Sequence, residues 1–306
     1  MIPLRSAPTR LQSPSDGFIV VAVLWIIIAL ASLTMIYATY VSRVASSISV
    51  DDDRLQSEAL MSAALELTAY QLTTAQGDTV PTHGQLDFHT DRARVLVQYR
   101  SEAARVDLNR APKELLAGLF AVLGTDPEQA KSHADSIIAW RTPRRPLVTD
   151  EEASRYLAAG LSYVPRSGPF AHVEELRLVR GLRPELIERA MPFLTVYSGL
   201  AGVDVREAAP EVIAALPGMT QGRLNAILQQ RQAGSPQGRP ASSPDPTRAG
   251  GPAEPSKAVR VDIHIAFENG RRIQSEAVIV VSSDTDAPYH VLSWHDGFDD
   301  PIRTTR

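Results

Sequence analysis

The sequence predicts an α+β protein in which a long N-terminal helix packs on an antiparallel sheet, and a large all-α block interrupts the strands. Three observations predict this fold. An uncharged apolar run at residues 17–42 continues into a region that contains no proline before Pro81. Strand-like segments occur at residues 94–108 and again from residue 259 onward. Between them, residues 109–232 have helical character with repeated Pro and Gly stops.

The apolar run has the length and composition of one membrane-spanning helix, predicted at residues 18–42. Between Phe18 and Val41 it holds 13 Phe, Ile, Leu or Val residues and no charged side chain. These residues favour insertion by about 4–8 kcal/mol as an upper estimate, and the run lacks the polar stripe of a soluble amphipathic helix. A secretory signal peptide has a shorter apolar run and a small-residue cleavage site, whereas no Ala-x-Ala pattern follows Tyr37. We therefore expect a membrane anchor.

Composition narrows the function classes. The 306 residues suffice for one large or two modest domains beyond the anchor. A net charge of −4 argues against a general nucleic-acid binder, and the absence of cysteine excludes disulfides, thiol nucleophiles and thiolate metal sites. Arg5 and Arg10 precede the anchor, and Arg43 and then the acidic residues 51–53 follow it. The positive-inside tendency places the leader in the cytoplasm and the bulk outside.

Helical periodicity continues beyond the anchor. Apolar residues at helical spacings share one face: Ile48, Leu55, Ala59, Ala63, Leu67 and Tyr70. This pattern predicts one helix from Phe18 to about Ala75, with its first half in lipid and its second half packed on the domain. The alternative is a membrane helix followed by a separate soluble helix.

Strand-forming residues follow in five segments: residues 94–99, 105–108, 259–267, 277–281 and 289–294. Asn269-Gly270, between the third and fourth segments, predicts a two-residue hairpin turn. Residues 233–258 hold six prolines and four glycines with almost no apolar side chains, and they are predicted to form a disordered loop. The strands on both sides of the helical block are expected to form one antiparallel sheet.

The helical block contains an internal repeat. Residues 106–119 align with residues 203–216, and six of the fourteen positions are identical. Each copy predicts an extended entry followed by a helix with Pro near its first turn. The copies lead to Arg141 and Arg231 at the ends of later helices. Further glycine turns at Gly181 and Gly218 make these segments similar to helix-hairpin-helix modules.

The N-terminus resembles that of type IV prepilins: a short polar leader, a glycine, a phenylalanine and a long apolar helix. The resemblance implies that a membrane peptidase cuts between Gly17 and Phe18 and that Phe18 becomes N-methylated. Most members carry glutamate at the fifth mature position, where this chain has Ala22. A charge in hydrocarbon is costly unless it is paired, so the replacement suits a subunit with no neighbour above it, at a filament tip.

Nearly the full chain resembles the K-type minor pseudopilins of type II secretion. This resemblance implies a type IV pilin-like long N-terminal helix on an antiparallel sheet, with a large all-α insertion that carries helix-hairpin-helix-like repeats. The resemblance divides the chain into six segments. These are a cleaved leader at residues 1–17, a transmembrane helix at 18–42, a first pilin-like part at 43–108, an inserted helical domain at 109–232, a Pro/Gly-rich loop at 233–258, and the remaining strands with the tail at 259–306.

The resemblance also implies a function and partners. The protein would be a structural subunit at the tip of the pseudopilus, where it helps to start assembly and to export folded proteins from the periplasm. Its partners would be the I- and J-type minor pseudopilins, other pseudopilus subunits, the prepilin peptidase and the inner membrane. It would be a single-pass inner-membrane protein with a cytoplasmic leader and a periplasmic C-terminal domain.

Two other functions stay open on the sequence. A membrane-anchored helix-hairpin-helix protein of the competence type would bind DNA through Arg180, Arg183 and Arg223 near the hairpins, although the turns lack the second glycine that is typical of DNA-binding versions. A minor pilin of a surface type IV pilus would share the same N-terminus. No P-loop, nucleophile elbow or dinucleotide fingerprint occurs, so an enzyme is not expected.

No cofactor is required by this interpretation, and calcium is the one candidate ion. Some pseudopilins bind calcium, and clustered carboxylate oxygens suit Ca²⁺. The candidate ligands are five aspartates near the C-terminus: Asp284, Asp286, Asp296, Asp299 and Asp300. Their spacing does not match an EF-hand loop, and a solvated acidic tail is the competing interpretation.

Overall fold

The structure, a computed structural model, describes residues 16–74, 81–143, 151–232, 256–282 and 288–297; residues 16–19 and 42–53 are described by their backbone. The chain divides into two compact units, Met1–Ala59 and Leu60–Arg306. Its architecture is α+β, with an N-terminal helix, an antiparallel sheet and several further helices. The fold class therefore agrees with the sequence at this level.

The first helix, α1, runs from Asp16 to Thr74, as a single helix close to the predicted bounds. An acidic residue at its first position suits the positive end of the helix dipole. Hydroxyl groups inside the apolar stretch are satisfied by the helix itself: Ser32 Oγ donates to the Ile28 carbonyl oxygen at 2.8 Å, and Thr39 Oγ1 donates to that of Ile36 at 2.8 Å. Such back-bonding keeps polar side chains compatible with an apolar environment.

Seven strands are present in the described residues: β1 His83–Thr90, β2 Ala93–Ser101, β3 Val106–Asp107, β4 Leu194–Thr195, β5 Ala258–Phe267, β6 Arg272–Val281 and β7 Tyr289–Gly297. Five of them form one sheet in the order β1-β2-β5-β6-β7, and every neighbouring pair in it is antiparallel. The edge strand β1 was not predicted, because its exposed residues are mostly polar.

The C-terminal part of α1 packs on this sheet. Its buried side chains are Leu60, Ala64, Leu65, Thr68, Ala69 and Leu72. They meet the inward-facing residues of the central strands: Val95, Val97, Val261, Ile263, Ile265 and Ile279. The small residue Ala64 allows the helix to approach the strands closely, and apolar burial of this kind stabilises the fold by roughly 25 cal/mol per Å².

The prediction of which face of α1 packs on the domain is wrong for the second half of the helix. Leu67 is 41% exposed and Tyr70 is 66% exposed, and Ala63 is half-buried. The helix is apolar on more than one side, so a helical period alone could not select the buried face. The face with small residues packs on the sheet, and the predicted face is left outward.

Six further α-helices lie among the described residues between β2 and β5: α2 Lys113–Val122, α3 Pro127–Arg141, α4 Glu151–Ala158, α5 Pro184–Ala190, α6 Pro210–Ala214 and α7 Gln221–Gln232. Pro occupies the first turn of α3, α5 and α6, where its missing N–H costs nothing. The helices bury their own core, separate from the core under α1, around Phe120, Trp140 and Tyr156.

The helical segment separates the strands of the sheet along the sequence, but the strands on its two sides are neighbours in the sheet. Strands β2 and β5 pair directly, with Ser101 opposite Val259. The expectation of one sheet for all strands is wrong in one respect: β3 pairs in parallel with β4, as a separate two-stranded sheet. A two-residue strand has no period-two pattern, so its partner could not be inferred from the sequence.

The hairpin between β5 and β6 also differs from the prediction. Phe267 N–H donates to the Arg271 carbonyl oxygen at 2.9 Å, which closes a three-residue loop. Gly270 has φ +86°, whereas Asn269 is not in the positive-φ region. A two-residue type I′ turn needs positive φ at both positions, and the Asn269 side chain instead accepts a bond from Arg271 N–H at 3.0 Å. The predicted loop 233–258 lies outside the described residues up to residue 255, and β5 already begins at Ala258.

Candidate functional site

The apolar part of α1 is long enough to cross a bilayer. The candidate span is Val20–Val41, 22 residues with none of its most apolar window buried in the protein. At 1.5 Å per residue it measures about 33 Å, against a hydrocarbon thickness of about 30 Å. Exposed large apolar side chains such as Trp25 and Tyr37, both 68% exposed, are unfavourable in water and favourable in lipid. The helix therefore fits a single-pass membrane anchor.

The residues predicted for processing lie at the start of this helix. Gly17 and Phe18 fall in the first turn of α1, directly after Asp16. Ala22 lies one turn further, partly exposed. The cleavage between Gly17 and Phe18 and the methylation of Phe18 stay predictions, since no geometry bears on them.

A second exposed apolar surface lies on the part of α1 that packs on the sheet. Leu67 and Tyr70 stand three residues apart on the outward side of the helix, next to Ala63. Side chains at this spacing are neighbours on a helix surface. We name Ala63, Leu67 and Tyr70 the outward stripe. It has the composition of a helix-helix contact surface.

The two repeat copies fold into the same local structure. In the first copy, Asp107 Oδ1 accepts from Asn109 N–H at 2.7 Å, and the Asp107 carbonyl accepts from Ala111 N–H at 2.8 Å. In the second copy, Asp204 Oδ1 accepts from Arg206 N–H at 3.0 Å, and its carbonyl accepts from Ala208 N–H at 2.9 Å. Aspartate favours such turns because its side chain bonds backbone two residues ahead.

In each repeat copy an arginine donates hydrogen bonds to two backbone carbonyls, and these carbonyls occupy equivalent positions in the two copies. The Arg141 guanidinium donates to the carbonyls of Leu108 and Ala111, the latter at 2.7 Å. The Arg231 guanidinium donates to the carbonyls of Val205 and Ala208, the latter at 2.9 Å. In both copies these are the first and fourth residues after the aspartate. The predicted sequence repeat is therefore a structural repeat that extends to the arginine at the end of the second helix.

The helical segment is joined to the sheet by a buried charge cluster that sequence reasoning missed. Glu102, whose side chain is 1% exposed, lies 2.7 Å from Arg260 Nε of β5. Arg260 also pairs with Glu276 of β6, and Thr195 Oγ1 of β4 donates to Glu102. Burial acts to lower the pKa of Arg260, but the carboxylates beside it outweigh that effect and raise the pKa. These residues are far apart in sequence, so no local signal could have found them.

The hairpin at Gly181 was a candidate phosphate-binding turn. Gly181 has φ +88°, as a tight turn requires. Arg180 N–H donates to the Tyr156 hydroxyl at 2.9 Å, so one backbone donor of the turn is already used inside the protein. The Arg180 guanidinium lies 3.6 Å from Glu152. Arg183 directly precedes α5 and Arg223 lies on α7, and both are exposed. The same helical segment carries the exposed acids Glu174, Glu185 and Glu188. This arrangement favours packing over phosphate binding.

The predicted calcium ligands are only partly covered by the structure. Asp284, Asp286, Asp299 and Asp300 lie outside the described residues. Asp296 lies in β7, where its Oδ1 accepts from Trp294 Nε1 at 2.6 Å and from Ser275 Oγ at 3.1 Å. Within the described part of the chain, no group of three or more His, Cys, Asp or Glu is placed to hold a metal ion. Calcium binding stays a prediction.

Comparison with known proteins gives a consistent set of matches. Residues 95–199 match the family model described as type II secretion system (T2SS), protein K. The type II secretion system protein K of Klebsiella pneumoniae is 26% identical over 123 residues, which are 40% of this chain and 37% of that protein. The match thus spans little more than a third of that relative.

The fold is also found among solved structures. A chain from the GspK-GspI-GspJ complex of the enterotoxigenic Escherichia coli type 2 secretion system is similar over 84% of this chain and 100% of that chain, with a TM-score of 0.57 and 19% identity. That likeness concerns the fold. Residues 95–199 match the protein K domain of the type II secretion system, and this is the family to which that part of the chain is similar.

Proposed function

We propose that this chain is a minor pseudopilin at the tip of a type II secretion pseudopilus, where it helps to start assembly and thereby the export of folded proteins. The observation that carries the proposal is the protein K domain at residues 95–199. It occurs in a chain that also has an exposed apolar helix long enough to span a membrane. An enzyme activity is not part of the proposal, because the function of such a subunit is assembly.

The proposed membrane arrangement is a single pass through the inner membrane, with the leader in the cytoplasm and the C-terminal domain in the periplasm. Support comes from Arg5 and Arg10 before the span and acidic residues 51–53 after it. The peptidase would cut between Gly17 and Phe18, and Phe18 would be N-methylated. Mass spectrometry of the mature protein from its host tests this: an intact Met1, or cleavage after Tyr37, would contradict it.

Ala22 supports a position at the tip. A glutamate there would have to find a positive partner inside the hydrocarbon, since an unpaired charge is costly at that depth. An alanine has no such need, so the subunit can sit where nothing stacks above it. The helical segment from α2 to α7, which we propose to be an inserted domain with helix-hairpin-helix-like repeats in a protein-contact role, adds bulk that suits a terminal subunit.

The proposed partners are I- and J-type minor pseudopilins. The fold neighbour comes from a complex named for GspK, GspI and GspJ, and the outward stripe offers an apolar helix surface for a neighbouring helix. Assembly would exchange lipid contacts of the anchor for contacts with other subunit helices. Those contacts would be made by packing rather than by a hydrophobic driving force between helices.

Co-expression of the full chain with the I- and J-type subunits of its host tests the function. The expected result is a complex that elutes together after extraction in detergent. Failure to form it, with every component folded, would contradict the proposal. A minor pilin of a surface pilus has the same anchor and would instead assemble with surface pilins. Tight, salt-sensitive DNA binding by the same sample would favour the competence-type alternative, which the hairpin geometry does not favour.

A further inference from the structure

A recess of about 370 Å³ opens where the helical segment meets the sheet. Its helical side is formed by Val173, Glu174, Met191, Pro192, Leu194 and Tyr197, with Arg105 beside them. Its sheet side is formed by Arg260 of β5, Glu276 of β6, and Ser293 and His295 of β7. The recess thus has two arginines, an apolar wall and several hydrogen-bonding groups.

The two arginines of the recess differ in their partners. Arg260 is bonded to both Glu102 and Glu276, so its charge is compensated. Arg105 is partly buried, and its guanidinium makes no hydrogen bond or ion pair with any residue that the structure describes. Two of the acids that act on its charge, Glu102 and Glu276, are thus bonded to its neighbour.

An arginine in this position needs an acceptor. Burial lowers the pKa of Arg105 and the positive charge of Arg260 lowers it further, whereas the charges of Glu102, Glu276 and Asp262 oppose this effect without cancelling it. Arg nevertheless stays protonated in proteins and presents five N–H donors with no means of losing its charge. Leaving such a charge partly desolvated and unpaired is unfavourable, and a planar guanidinium pairs best with a carboxylate, through two parallel bonds.

The walls of the recess indicate what the carboxylate is attached to. Val173, Met191 and Leu194 present apolar surface beside Arg105, which suits a short hydrocarbon stem. Ser293 and His295, which lie 3.2 Å apart through Oγ and Nδ1, stand on the opposite wall as additional polar groups. We propose that this recess is a carboxylate-binding site, in which Arg105 binds the anionic head and the apolar wall holds the stem.

Two acids, Glu174 and Glu276, line the recess, and Glu102 and Asp262 also act on the charge of Arg105. Glu102 and Glu276 are engaged by Arg260 and contribute little net repulsion. Glu174 is exposed at the rim and makes no such pair, so it weakens anion binding through its charge. Removal of this charge is therefore expected to strengthen binding of the anion. A recess that binds no anion would show no such change.

The test uses the full chain in detergent and 4-methylpentanoate as the probe, with its neutral amide as the control. The arginine Nε–H signals in ¹H–¹⁵N spectra are followed during titration, and the Arg105 signal is assigned by its loss in Arg105→Gln. The expected result is a saturable shift of that signal with the acid and binding of the amide that is at least about tenfold weaker, as a charge-assisted bond of roughly 1.5–3 kcal/mol predicts. An equal response to the amide would overturn the proposal.

Two further variants keep the test decisive. Glu174→Gln is expected to bind the acid more tightly, and Arg94→Gln, which removes an exposed arginine charge of β2, is expected to leave binding unchanged. Loss of binding in Arg94→Gln, or no response to Glu174→Gln together with weak acid selectivity, would contradict a site at Arg105. The measurement needs no partner, so its failure is separable from failure of the proposed assembly function.

A free small acid and the carboxylate of a partner protein share this chemistry. Competition distinguishes them. If 4-methylpentanoate weakens the complex with I- and J-type subunits, the natural occupant is a partner carboxylate. If the complex is unaffected while the recess is saturated, the occupant is a free acid.

Discussion

Gly118 of α2 lies directly against the backbone carbonyl of Ala215 at the end of α6, and the two residues occupy the same position of the two repeat copies. A Cβ built on Gly118 would overlap the Ala215 carbonyl oxygen and lie 3.0 Å from its carbon. The two copies therefore pack on each other through equivalent points. Glycine at this position of the first copy allows the two helices to approach.

We expect Gly118→Ala to lower the free energy of unfolding by about 1–3 kcal/mol, because a methyl group there forces the helices apart. Helix propensity alone would favour alanine by roughly 0.5–1 kcal/mol. A measured loss of stability would therefore come from the steric contact and not from helix propensity. Urea denaturation measures it. Gly222→Ala in α7 is the control, since nothing lies within 4 Å of the added group; it should be neutral or stabilising. A stabilised Gly118→Ala would contradict the close packing.

Substitution of Arg141 or of Arg231 should lower the free energy of unfolding by similar amounts. Arg141→Gln leaves two turn carbonyls without their charged donor, and Arg231→Gln does the same in the second copy. Hydrogen bonds to a charged group contribute roughly 1.5–3 kcal/mol, so each variant should lose about that much in thermal or urea unfolding. Opposite behaviour of the two variants would show that the copies are not equivalent in energy. Exposed Arg177 offers a control substitution, Arg177→Gln, that should change little.

The buried cluster at Glu102 should dominate the stability of the junction between helices and sheet. Glu102→Gln leaves the Arg260 charge with only Glu276 beside it, and breaking a buried pair from one side typically costs about 3–5 kcal/mol. The exposed pair Arg94–Asp87, at 2.5 Å, is the control, because solvent screens a surface pair and its loss should change stability little. If Asp87→Asn and Glu102→Gln destabilise equally, the cluster does not hold the junction.

Stability should fall in mild acid partly through His133. Burial, together with the charge of Arg183, holds the pKa of His133 below its ordinary 6.5. As pH falls, the unfolded chain therefore takes up this proton before the folded chain does, and stability present above about pH 6.5 is lost. His133→Phe keeps the edge contact with Phe120, whose ring centroid lies 5.8 Å away. Its unfolding midpoint should fall less between about pH 7.5 and 5.5.

The same pH series on exposed His172 provides the comparison. His172→Phe should follow the wild-type pH dependence, since that ring is exposed in the structure. Identical curves for wild type and His133→Phe would mean that other groups cause the acid sensitivity.

The outward stripe should matter for assembly and not for folding. Leu67→Glu replaces a side chain that is 41% exposed, so the unfolding midpoint of the chain alone should change little. In a helix-helix contact the same charge would be desolvated without a partner, and co-elution with I- and J-type subunits should be lost. Ser62→Glu, at an exposed position of the same helix, should retain the complex. If Leu67→Glu still forms the complex, the outward stripe is not part of the interface.

Much of the architecture was predictable because it depends on local pattern. The apolar run and the absence of proline predicted α1 to within two residues, strand-forming residues indicated β2 and β7, and strict alternation predicted β5. The repeat was visible through identical residues such as Asp107 and Asp204, which shape their turns by local bonds. The arginines at the helix ends were noticed, although their acceptor carbonyls could only be seen in three dimensions.

The remaining features depend on contacts between distant residues. The buried face of α1 was missed because both sides of the helix are apolar, and only the packing of residues such as Ala64 and Leu65 on the sheet selects one. The pairing of β3 with β4 joins distant parts of the chain, and Glu102 contacts Thr195 and Arg260, which lie 93 and 158 positions further along. Asn269-Gly270 was assigned the wrong turn because the Asn side chain bonds to Arg271 and does not enter positive φ.

The pairing of Ser101 with Val259 has a consequence for how the protein is made. A ribosome that adds about 5–20 residues per second completes β2 roughly 10–30 seconds before β5 emerges. During that interval β2 exposes an unsatisfied edge, while the helices that follow it can already bury their separate core. Biosynthesis should therefore pass through a state with a folded helical segment and an open sheet, which a chaperone would have to guard until the last strands arrive.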